Sequence, residues 1–597
     1  MDRNAVIGFI LIGLILMIWM WTNAPPPAKP PSVSDSSARH QTVPETAQSQ
    51  PRTPARIEPT GGGGDTLGKY FSPLGRGQRN VLTIETGLYR AELSTAGGAI
   101  QSWVLKQYKS WDQHPVDLLD GTGTRDFNLI FYSSDGKLID TKNLVFRSSF
   151  QNGQVIHVAD QESVRVELVL PVNEKSRIIK SFVFFGNLYS FDGSYRFEKM
   201  EDIISNFEYQ VAWESGIRYQ ERNSINESNF AKASAFAGGE LIEVDANNFN
   251  EPVKQSLSGS VAWVAARNKY FAVAIIPREK VSQGAYLEGN RFKLPDNGAK
   301  ETYSISLKMP FIGNPVETDR FTVFLGPLDY DVVKQYNVEL DRIMSLGAVW
   351  VIRPISRYVI IPLFQFLRLF ISNYGIVLII FSIIVKVALY PLTKTSMDSM
   401  RKMQALQPMM TEIREKFKDD PQKMNQQIMR LYKEYGVNPA GGCLPMVLQL
   451  PILYALWAVF SATIELRQAS FVGWIQDLSS PDIVTTLPFR IPFFNINEVS
   501  GLALLMGITM FVQQKMSVKD PRQKMMVYLM PVMLTMMFNS FPAGLNLYYF
   551  MFNLLSIAQQ VWVNKQHKDE PLRKVDEKKG GGGIIGKLAM KLPKRQQ

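Results

Sequence analysis

A lysine in the middle of a long apolar run is the residue with the clearest chemical meaning in this sequence. Lys386 lies within residues 375–392, a run long enough to cross a bilayer as a helix. A lysine at the centre of a spanning helix costs about 2.5 to 3.5 kcal/mol, so such residues usually face a bundle interior or a wet cavity and act there. The predicted spans contain no carboxylate. We therefore expect the ammonium to be solvated rather than salt-bridged, and to attract anions.

Polar side chains accompany this lysine at helical spacing. Ser382 precedes Lys386 by one turn, and Gln449 lies in the next apolar run. The last run has a polar residue at every third or fourth position: Asn546, Tyr549, Asn553, Ser556 and Gln560. Hydrogen bonds between helices explain any one of them, at about 0.6 kcal/mol per pair. Together with a lone cation, they predict a hydrated cavity inside a helix bundle.

Six apolar runs predict six membrane-spanning helices. They cover residues 5–21, 375–392, 443–463, 500–516, 525–541 and 543–563. The fourth and fifth runs are short for a hydrocarbon core of about 30 Å, which predicts upright helices or a thinned bilayer. A cleaved signal peptide is the alternative for the first run, but three prolines at positions 25–27 disfavour cleavage. We expect an uncleaved anchor over residues 1–22.

The segments between and beyond these runs differ in composition. Residues 23–65, rich in Pro, Ser and Gly, predict a flexible linker. Residues 66–345 contain short alternating segments such as 81–86, 164–168, 178–184 and 321–324, typical of an all-β sandwich. Its four tryptophans indicate core packing rather than a sugar-binding cleft; they are Trp103, Trp111, Trp213 and Trp263.

Three further segments complete the predicted organisation. Residues 346–372 predict an interfacial amphipathic helix, with an extra span as the alternative. Within the helical core, 373–563, residues 394–437 predict an antiparallel helical hairpin that breaks near Asp419, Asp420 and Pro421. It is either a structural linker or a surface that meets a ribosome or nascent chain. The basic tail, 564–597, predicts contact with anionic lipid or with the ribosome.

The distribution of charge predicts the orientation of the chain. The net charge is +11, and basic residues are concentrated in the hairpin, in the loop between the fourth and fifth runs, and in the tail. By the positive-inside rule these segments, and hence both termini, are cytoplasmic. The β-domain then lies across the membrane, in the periplasm of a two-membrane bacterium. Cys443 is the single cysteine, so that domain has no disulfide.

Methionines are concentrated in the fourth and fifth runs and include Met530, Met533 and Met537. Thioether side chains adapt to many apolar shapes. The cluster is either lipid-facing filler or a surface that accepts varied hydrophobic segments.

Four short motifs resemble one known family. They are NPAGGCLPMVLQLPI at 438–452, YPLTK at 390–394, ELRQA at 465–469 and FPAGL at 541–545. All four are similar to the YidC/Oxa/Alb insertases, in the Gram-negative form with a large periplasmic domain. The resemblance covers the whole chain and is strongest over residues 349–563. It implies a five-helix core with a groove open to cytoplasm and lipid, and a periplasmic supersandwich of the sugar-epimerase type without that chemistry.

The resemblance also assigns roles to residues. Lys386 stands where better-known members have arginine, which keeps the charge but not the bidentate geometry. It implies a groove lined by Ser382, Gln449 and Tyr549, to which the polar pattern adds Asn546 and Asn553. The face along which the apolar segment leaves comprises Leu450 and Pro451, with Met530, Met533 and Met537 added from the methionine cluster.

The predicted function is insertion and folding of inner-membrane proteins, alone or with the Sec translocon, without a covalent reaction. Expected partners are nascent membrane proteins, the ribosome and the lipid bilayer, and not DNA. No motif for a nucleotide, metal or other cofactor is visible in the sequence. The alternative, a small-solute transporter or channel, would need an inverted repeat or a substrate site at mid-membrane.

Overall fold

The structure is a computed structural model that describes residues 67–119, 123, 125–295, 298–348, 350–437, 444–491, 494, 496–517 and 524–566. The predicted anchor at 1–22, the linker at 23–65 and all but the first three residues of the tail lie outside the described residues. The β-rich part and the helical part belong to one compact unit.

The first part of the described chain is built from strands. In chain order they are β1 Val81–Glu85, β2 Tyr89–Ser94, β3 Ala99–Lys109, β4 Pro115–Asp117, β5 Asn128–Ser133, β6 Leu138–Asp140, β7 Arg147–Ser148, β8 Gln154–His157, β9 Ser163–Pro171, β10 Arg177–Phe185, β11 Ser190–Glu198, β12 Ile204–Trp213, β13 Lys232–Ala237, β14 Glu240–Val244, β15 Val253–Ser258, β16 Val261–Arg267, β17 Phe271–Pro277, β18 Gly284–Lys293, β19 Ala299–Pro310 and β20 Val316–Pro327. A later hairpin comprises β21 Ile483–Ile491 and β22 Ile496–Ser500.

Three sheets form the β-domain. The largest has nine strands in the order β14-β13-β16-β17-β20-β11-β10-β9-β7, the second has six in the order β15-β18-β19-β12-β5-β6, and the third has five in the order β4-β3-β2-β1-β8. Neighbours pair antiparallel in the two larger sheets, as in Phe182 opposite Gly193. The prediction of an all-β domain from alternating segments is confirmed.

Alternation predicted these strands because one side of each packs on the core. In β9, Val166, Leu168 and Leu170 are buried while Arg165 and Glu167 face outward. Three of the four tryptophans are completely buried: Trp103, Trp213 and Trp263. Trp111 is not, because it lies in the turn after β3 with 56% of its surface exposed. Core packing was therefore the wrong explanation for Trp111.

Helices build most of the remaining described chain. Three short ones belong to the β-domain: α1 Gly68–Phe71, α2 Ser224–Ser228 and α3 Tyr330–Lys334. The others are α4 Ile352–Ile355, α5 Ile361–Arg368, α6 Tyr374–Ala388, α7 Tyr390–Ala405, α8 Gln407–Lys416, α9 Pro421–Glu434, α10 Leu444–Ala462, α11 Gly501–Ser517, α12 Lys524–Phe538 and α13 Ala543–Gln566. A π-helical turn, Ser356–Ile360, joins α4 to α5 and makes a continuous helical segment.

The helix that carries Lys386 is shorter than the apolar run predicted. It ends at Ala388, and α7 begins at Tyr390 with Pro391 in its first turn. Proline disfavours helical geometry in the residue before it and cannot donate a backbone hydrogen bond. Among described residues no single helix has both the length and the apolar character to cross a bilayer. One bent pair does by length and composition: α6 with 393–405, at an angle of 68°.

The segment after α7 folds back on itself. Helices α8 and α9 lie on either side of a break that contains the predicted Asp419 and Asp420, and the predicted Pro421 begins α9. Their apolar residues form a cluster separate from the main core: Leu406, Met410, Ile428, Leu431, Tyr432, Tyr435 and Val437. The Asp420 carboxylate accepts a hydrogen bond from the Lys423 backbone N–H and thereby caps α9. This hairpin has its own small core.

Polar contacts join the β-domain to the loop after α10. Arg467 pairs with Glu221, with 2.6 Å between Nε and Oε1, and its side chain is 2% exposed. Gln468 donates from Nε2 to the backbone carbonyls of Lys109 and Ser110 at 3.0 and 3.2 Å. Both residues belong to the ELRQA motif. That motif is therefore a docking element between the two parts of the chain.

Candidate functional site

Lys386 lies at the contact between α6 and α13. Its Nζ donates a hydrogen bond to the Ser556 hydroxyl at 2.7 Å and lies 4.6 Å from the centre of the Phe552 ring. The Ser556 hydroxyl in turn donates to the Phe552 carbonyl at 2.7 Å, which leaves its lone pairs free to accept from the ammonium. Lys386 is 8% exposed. The sequence did not predict either of these two contacts of the ammonium.

The partners of Lys386 are nevertheless neutral. Ser556 offers a hydroxyl dipole and Phe552 offers a ring face, whose quadrupole attracts a cation. Within the described residues, no ion pair of Lys386 with a carboxylate is present. Among the described residues, neutral groups therefore hold the positive charge in place, and no carboxylate pairs with it.

The polar residues of α13 form a line of contacts with neighbouring helices. Asn553 Nδ2 lies 3.4 Å from the Thr509 hydroxyl on α11, and Gln560 Oε1 accepts from Ser517 at the end of α11 at 3.1 Å. One position before Gln560, Gln559 Nε2 donates to Thr393 on α7 at 3.3 Å. The spacing of three or four predicted this stripe because such residues share one helix face. The stripe contacts α11, and the neighbouring Gln559 contacts α7.

An aromatic layer lies on one side of Lys386. Tyr548 packs between Phe381 and Phe552, with ring centroids 5.9 and 6.0 Å away. Tyr549 contacts Tyr548 at 5.2 Å and Phe538 on α12 at 5.3 Å. Both tyrosines are buried. This layer separates Lys386 from the beginning of α13.

The beginning of α13 is closed by a hydrogen-bonded network around Asp482. The Asp482 carboxylate accepts from the Ser500 hydroxyl at 2.5 Å, from the Leu502 backbone N–H at 2.7 Å and from Trp474 Nε1 at 2.9 Å. Asn539 accepts from the Ser500 backbone N–H at 2.9 Å and donates to the Glu498 carbonyl at 2.7 Å. These bonds connect the β21–β22 region to α11 and α12. The line of polar contacts along α13 therefore ends in a closed hydrogen-bonded network on this side.

The predicted groove residues do not all lie in one place. Lys386 and Asn553 lie along the line of contacts, whereas Asn546 belongs to the closed end, with Nδ2 3.2 Å from the Phe538 carbonyl. The Ser382 hydroxyl is used by its own helix, because it donates to the Leu378 carbonyl at 2.7 Å. Tyr549 packs in the aromatic layer, and Gln449 is half-buried on α10. The structure therefore gathers some of these residues beside Lys386, but not all.

The predicted exit face lies on α10 and α12. Leu450 is 44% exposed and Met533 is 46% exposed, whereas Pro451, Met530 and Met537 are half-buried. Neighbouring apolar side chains on α12 are also exposed, among them Tyr528 and Val532. Both helices thus present apolar residues to their surroundings.

Several residues of the site were not among the predicted groove residues, and three of them show which signals the sequence offered. Ser556 belongs to the polar stripe of α13, so its spacing was a usable signal. Phe552 is apolar and carries no such signal, although it lies four residues before Ser556 and so shares its face. Asp482 lies in a loop, and no periodic pattern marks it.

The buried carboxyl of Glu465 should make the stability of the folded protein depend on pH. Its carboxyl is buried beside Asp329, and its Oε2 has no hydrogen-bond partner among the described residues. Burial raises the pKa of Glu465 from 4.5 to about 7, and the Asp329 charge acts in the same direction. The folded state then binds more protons than the unfolded state between pH 4.5 and 7, so this group's stabilising contribution falls as pH rises through that window.

We expect Glu465→Gln to narrow the difference in thermal unfolding midpoint between pH 5 and pH 8, because glutamine stays neutral at both. The measurement is a thermal melt of the purified full chain in detergent at both pH values. Glu174→Gln, an exposed position, is the matched control and should leave the difference unchanged. An equal pH response in the wild type and Glu465→Gln would contradict the prediction.

Two family models match consecutive parts of this chain. The one described as "YidC periplasmic domain" matches residues 81–356, which include β1–β20. The one described as "60Kd inner membrane protein" matches residues 366–570, which include Lys386 and all of α13. Together they cover both the β-domain and the helical part.

Curated relatives match nearly the whole chain. The membrane protein insertase YidC of Chlorobium limicola is 39% identical over 568 residues, covering 94% of this chain and 95% of the relative. That of Chlorobaculum tepidum is 37% identical over 574 residues, 96% of each. A crystal structure of an active YidC insertase covers 82% of this chain and 93% of its own, at 19% identity and a TM-score of 0.35. On the strength of the full-length relatives, the chain belongs to the YidC family of membrane protein insertases.

Proposed function

We propose that this chain inserts hydrophobic segments of newly made proteins into the bacterial inner membrane, with Lys386 attracting the polar segment that must cross. The observation that carries the proposal is a buried ammonium whose described contacts are a hydroxyl and an aromatic ring. A positive charge without a paired carboxylate, in surroundings of low dielectric constant, attracts an incoming anion more strongly than it would in water. The full-length relatives support insertion over the small-solute transporter.

In this proposal, the polar side chains along α13 form the path that the leading segment of the substrate follows. The leading segment of the substrate enters partway from the Gln560 end, exchanges hydrogen bonds with Asn553 and Thr509, and reaches the aromatic layer near Lys386 before it crosses. Its apolar segment then leaves into lipid past the exposed Leu450 and Met533. At each step, protein groups that already have defined positions replace water around the polar segment of the substrate. No covalent bond is made or broken. The role is mechanical and electrostatic rather than enzymatic.

The proposed topology has six spans and both termini in the cytoplasm. Its support is the concentration of basic residues in the hairpin and the tail, together with the periplasmic family model over residues 81–356. The segments keep the bounds predicted from the sequence: anchor 1–22, linker 23–65, β-domain 66–345, interfacial helix 346–372, core 373–563 and tail 564–597. Helices α6 and α12, with 15 residues each, are short for a span and would thin the bilayer around them.

The hairpin is the proposed contact with the ribosome. The outward face of α9 exposes a set of polar, basic and methionine side chains: Gln422, Asn425, Gln426, Met429, Arg430 and Lys433. Arg430 and Lys433 can pair with phosphates of ribosomal RNA, and amide side chains can hydrogen-bond to them. Cooperation with the Sec translocon is the second proposed partnership, and it rests on the family resemblance.

The test is insertion of a short single-spanning substrate into proteoliposomes that contain only this purified protein. Protease protection should reveal the substrate's leading segment inside the vesicle in a protein-dependent manner. Protein-free vesicles are the control for spontaneous insertion. Release of a small trapped solute without protected substrate would instead favour the transporter.

A further inference from the structure

A small basic pocket lies where the β-domain meets the segment before α6. It is about 170 Å³ in volume and is lined by Arg342, Arg353, Pro354, Arg357 and Tyr358. Arg342 lies in a 3₁₀ turn, Leu340–Ile343, and the other four lie in α4 and the π-helical turn that follows. Three guanidiniums thus converge on one pocket from two separate elements.

The carboxylates near this pocket do not balance its cations. Asp341 pairs with both Arg353 and Arg357, at 3.4 and 3.3 Å. Arg342 pairs with Glu339 at 2.5 Å. Three positive side chains therefore share two negative ones. Burial lowers the pKa of Arg353, the Asp341 carboxylate acts in the opposite direction, and the nearby Arg342 and Arg357 add to the lowering.

The surroundings of the pocket are apolar and exposed. Trp350 is 84% exposed and Tyr358 is 71% exposed. Further exposed apolar side chains follow along the same helical segment: Val359, Phe366, Leu369 and Phe370. Exposed tryptophan and tyrosine beside arginine are typical of the boundary between lipid and water. Residues of this kind surround the pocket on its exposed side.

We propose that this pocket binds the phosphate of an anionic phospholipid in the leaflet that faces the β-domain. Arginine suits that ligand because its planar fork can donate two hydrogen bonds to one phosphate, and a single phosphodiester charge offsets the surplus of one guanidinium. The exposed apolar side chains next to the pocket can contact the acyl chains. The volume fits a headgroup rather than a folded peptide. A bound lipid would fix the junction of the β-domain and the helical part to the membrane surface.

The test measures lipid binding to the full-length protein purified in dodecyl maltoside. Native mass spectrometry during titration with dioleoylphosphatidylglycerol, and separately with dioleoylphosphatidylcholine, counts bound lipids and gives apparent affinities. We expect the wild type to hold one phosphatidylglycerol about tenfold more tightly than phosphatidylcholine. Arg342→Glu should remove that preference, since it replaces a charge-assisted contact with a repulsive one.

Two further variants keep the test decisive. Arg342→Gln is milder, leaves the Asp341 pairs intact and should weaken phosphatidylglycerol binding by several-fold without changing the thermal midpoint. Arg147→Glu makes the same charge change at an exposed strand residue away from the pocket, and should retain the preference. Unchanged phosphatidylglycerol binding in both Arg342 variants would overturn the proposal.

Competition distinguishes the possible sources of the phosphate. Inorganic phosphate at millimolar concentration should fail to displace the lipid, because it lacks acyl chains to contact the neighbouring side chains. Displacement at low concentration would identify a free-phosphate site and contradict the lipid assignment. Displacement by an acidic peptide but not by inorganic phosphate would assign the pocket to a protein partner and would equally contradict it.

Discussion

Replacing Lys386 with methionine should lower insertion of substrates with an acidic leading segment about thirtyfold, while substrates with a neutral leading segment insert almost as before. At a separation of roughly 8 Å and an effective dielectric constant of about 20, two opposite charges attract by about 2 kcal/mol. That energy corresponds to a factor of about thirty in an equilibrium constant. Methionine nearly matches the length of lysine, so contact with Phe552 persists. Initial rates of protease protection for matched substrates provide the measurement.

Two control variants separate charge from packing. Lys386→Arg keeps the charge and should retain most of the activity, although its larger fork must repack beside Ser556. Ser556→Ala removes the hydrogen-bond partner of the ammonium and keeps the cation, so acidic substrates should still insert. If Lys386→Met impaired acidic and neutral substrates equally, the residue would act through packing, and the charge-attraction account would be wrong.

The second large effect is expected at the docking contact between the β-domain and the loop after α10. Arg467→Ala should lower the free energy of unfolding by about 3 kcal/mol, because it removes one partner of a buried ion pair and leaves the other uncompensated. Arg467 is 2% exposed and Glu221 is 17% exposed. The guanidinium also lies 5.8 and 5.6 Å from the Tyr270 and Phe271 rings, so packing is lost as well. Thermal and denaturant melts in detergent give the measurement.

A double-mutant cycle isolates the pair from these packing effects. Glu221→Gln alone, and the double replacement of Arg467 and Glu221, complete the cycle. We expect the double variant to lose less stability than the sum of the two singles, because the second change removes a charge that the first left unpaired. Simple additivity would show that the ion pair contributes nothing specific.

The sequence predicted local features and could not predict pairings between distant segments. Alternation located β9 and β10 because a strand's side chains point to opposite faces at every second residue. Helical spacing likewise marked the α13 stripe. The Ser556 partner of Lys386 lies 170 residues away, and Glu221 lies 246 residues from Arg467. No periodic pattern reports which surfaces meet, so those contacts needed the folded chain.

Two differences from the sequence-based predictions have local causes that periodicity also misses. The apolar run at 375–392 predicted one helix long enough to cross a bilayer, and Pro391 places a helix boundary inside that run. Trp111 was assigned to the core by its residue type, whereas the turn after β3 exposes it. Backbone constraints and turn positions overrode hydrophobicity in both cases.

The measurement that tests the central claim most directly varies the sign of the charge both at position 386 and in the leading segment of the substrate. Wild type and Lys386→Glu would each be given two single-spanning substrates that differ only in having acidic or basic leading segments, in proteoliposomes of neutral lipid. If the buried charge attracts the crossing segment, Lys386→Glu should disfavour the acidic substrate and accept the basic one better than the wild type does. The same ratio of acidic to basic insertion for both proteins would contradict the account.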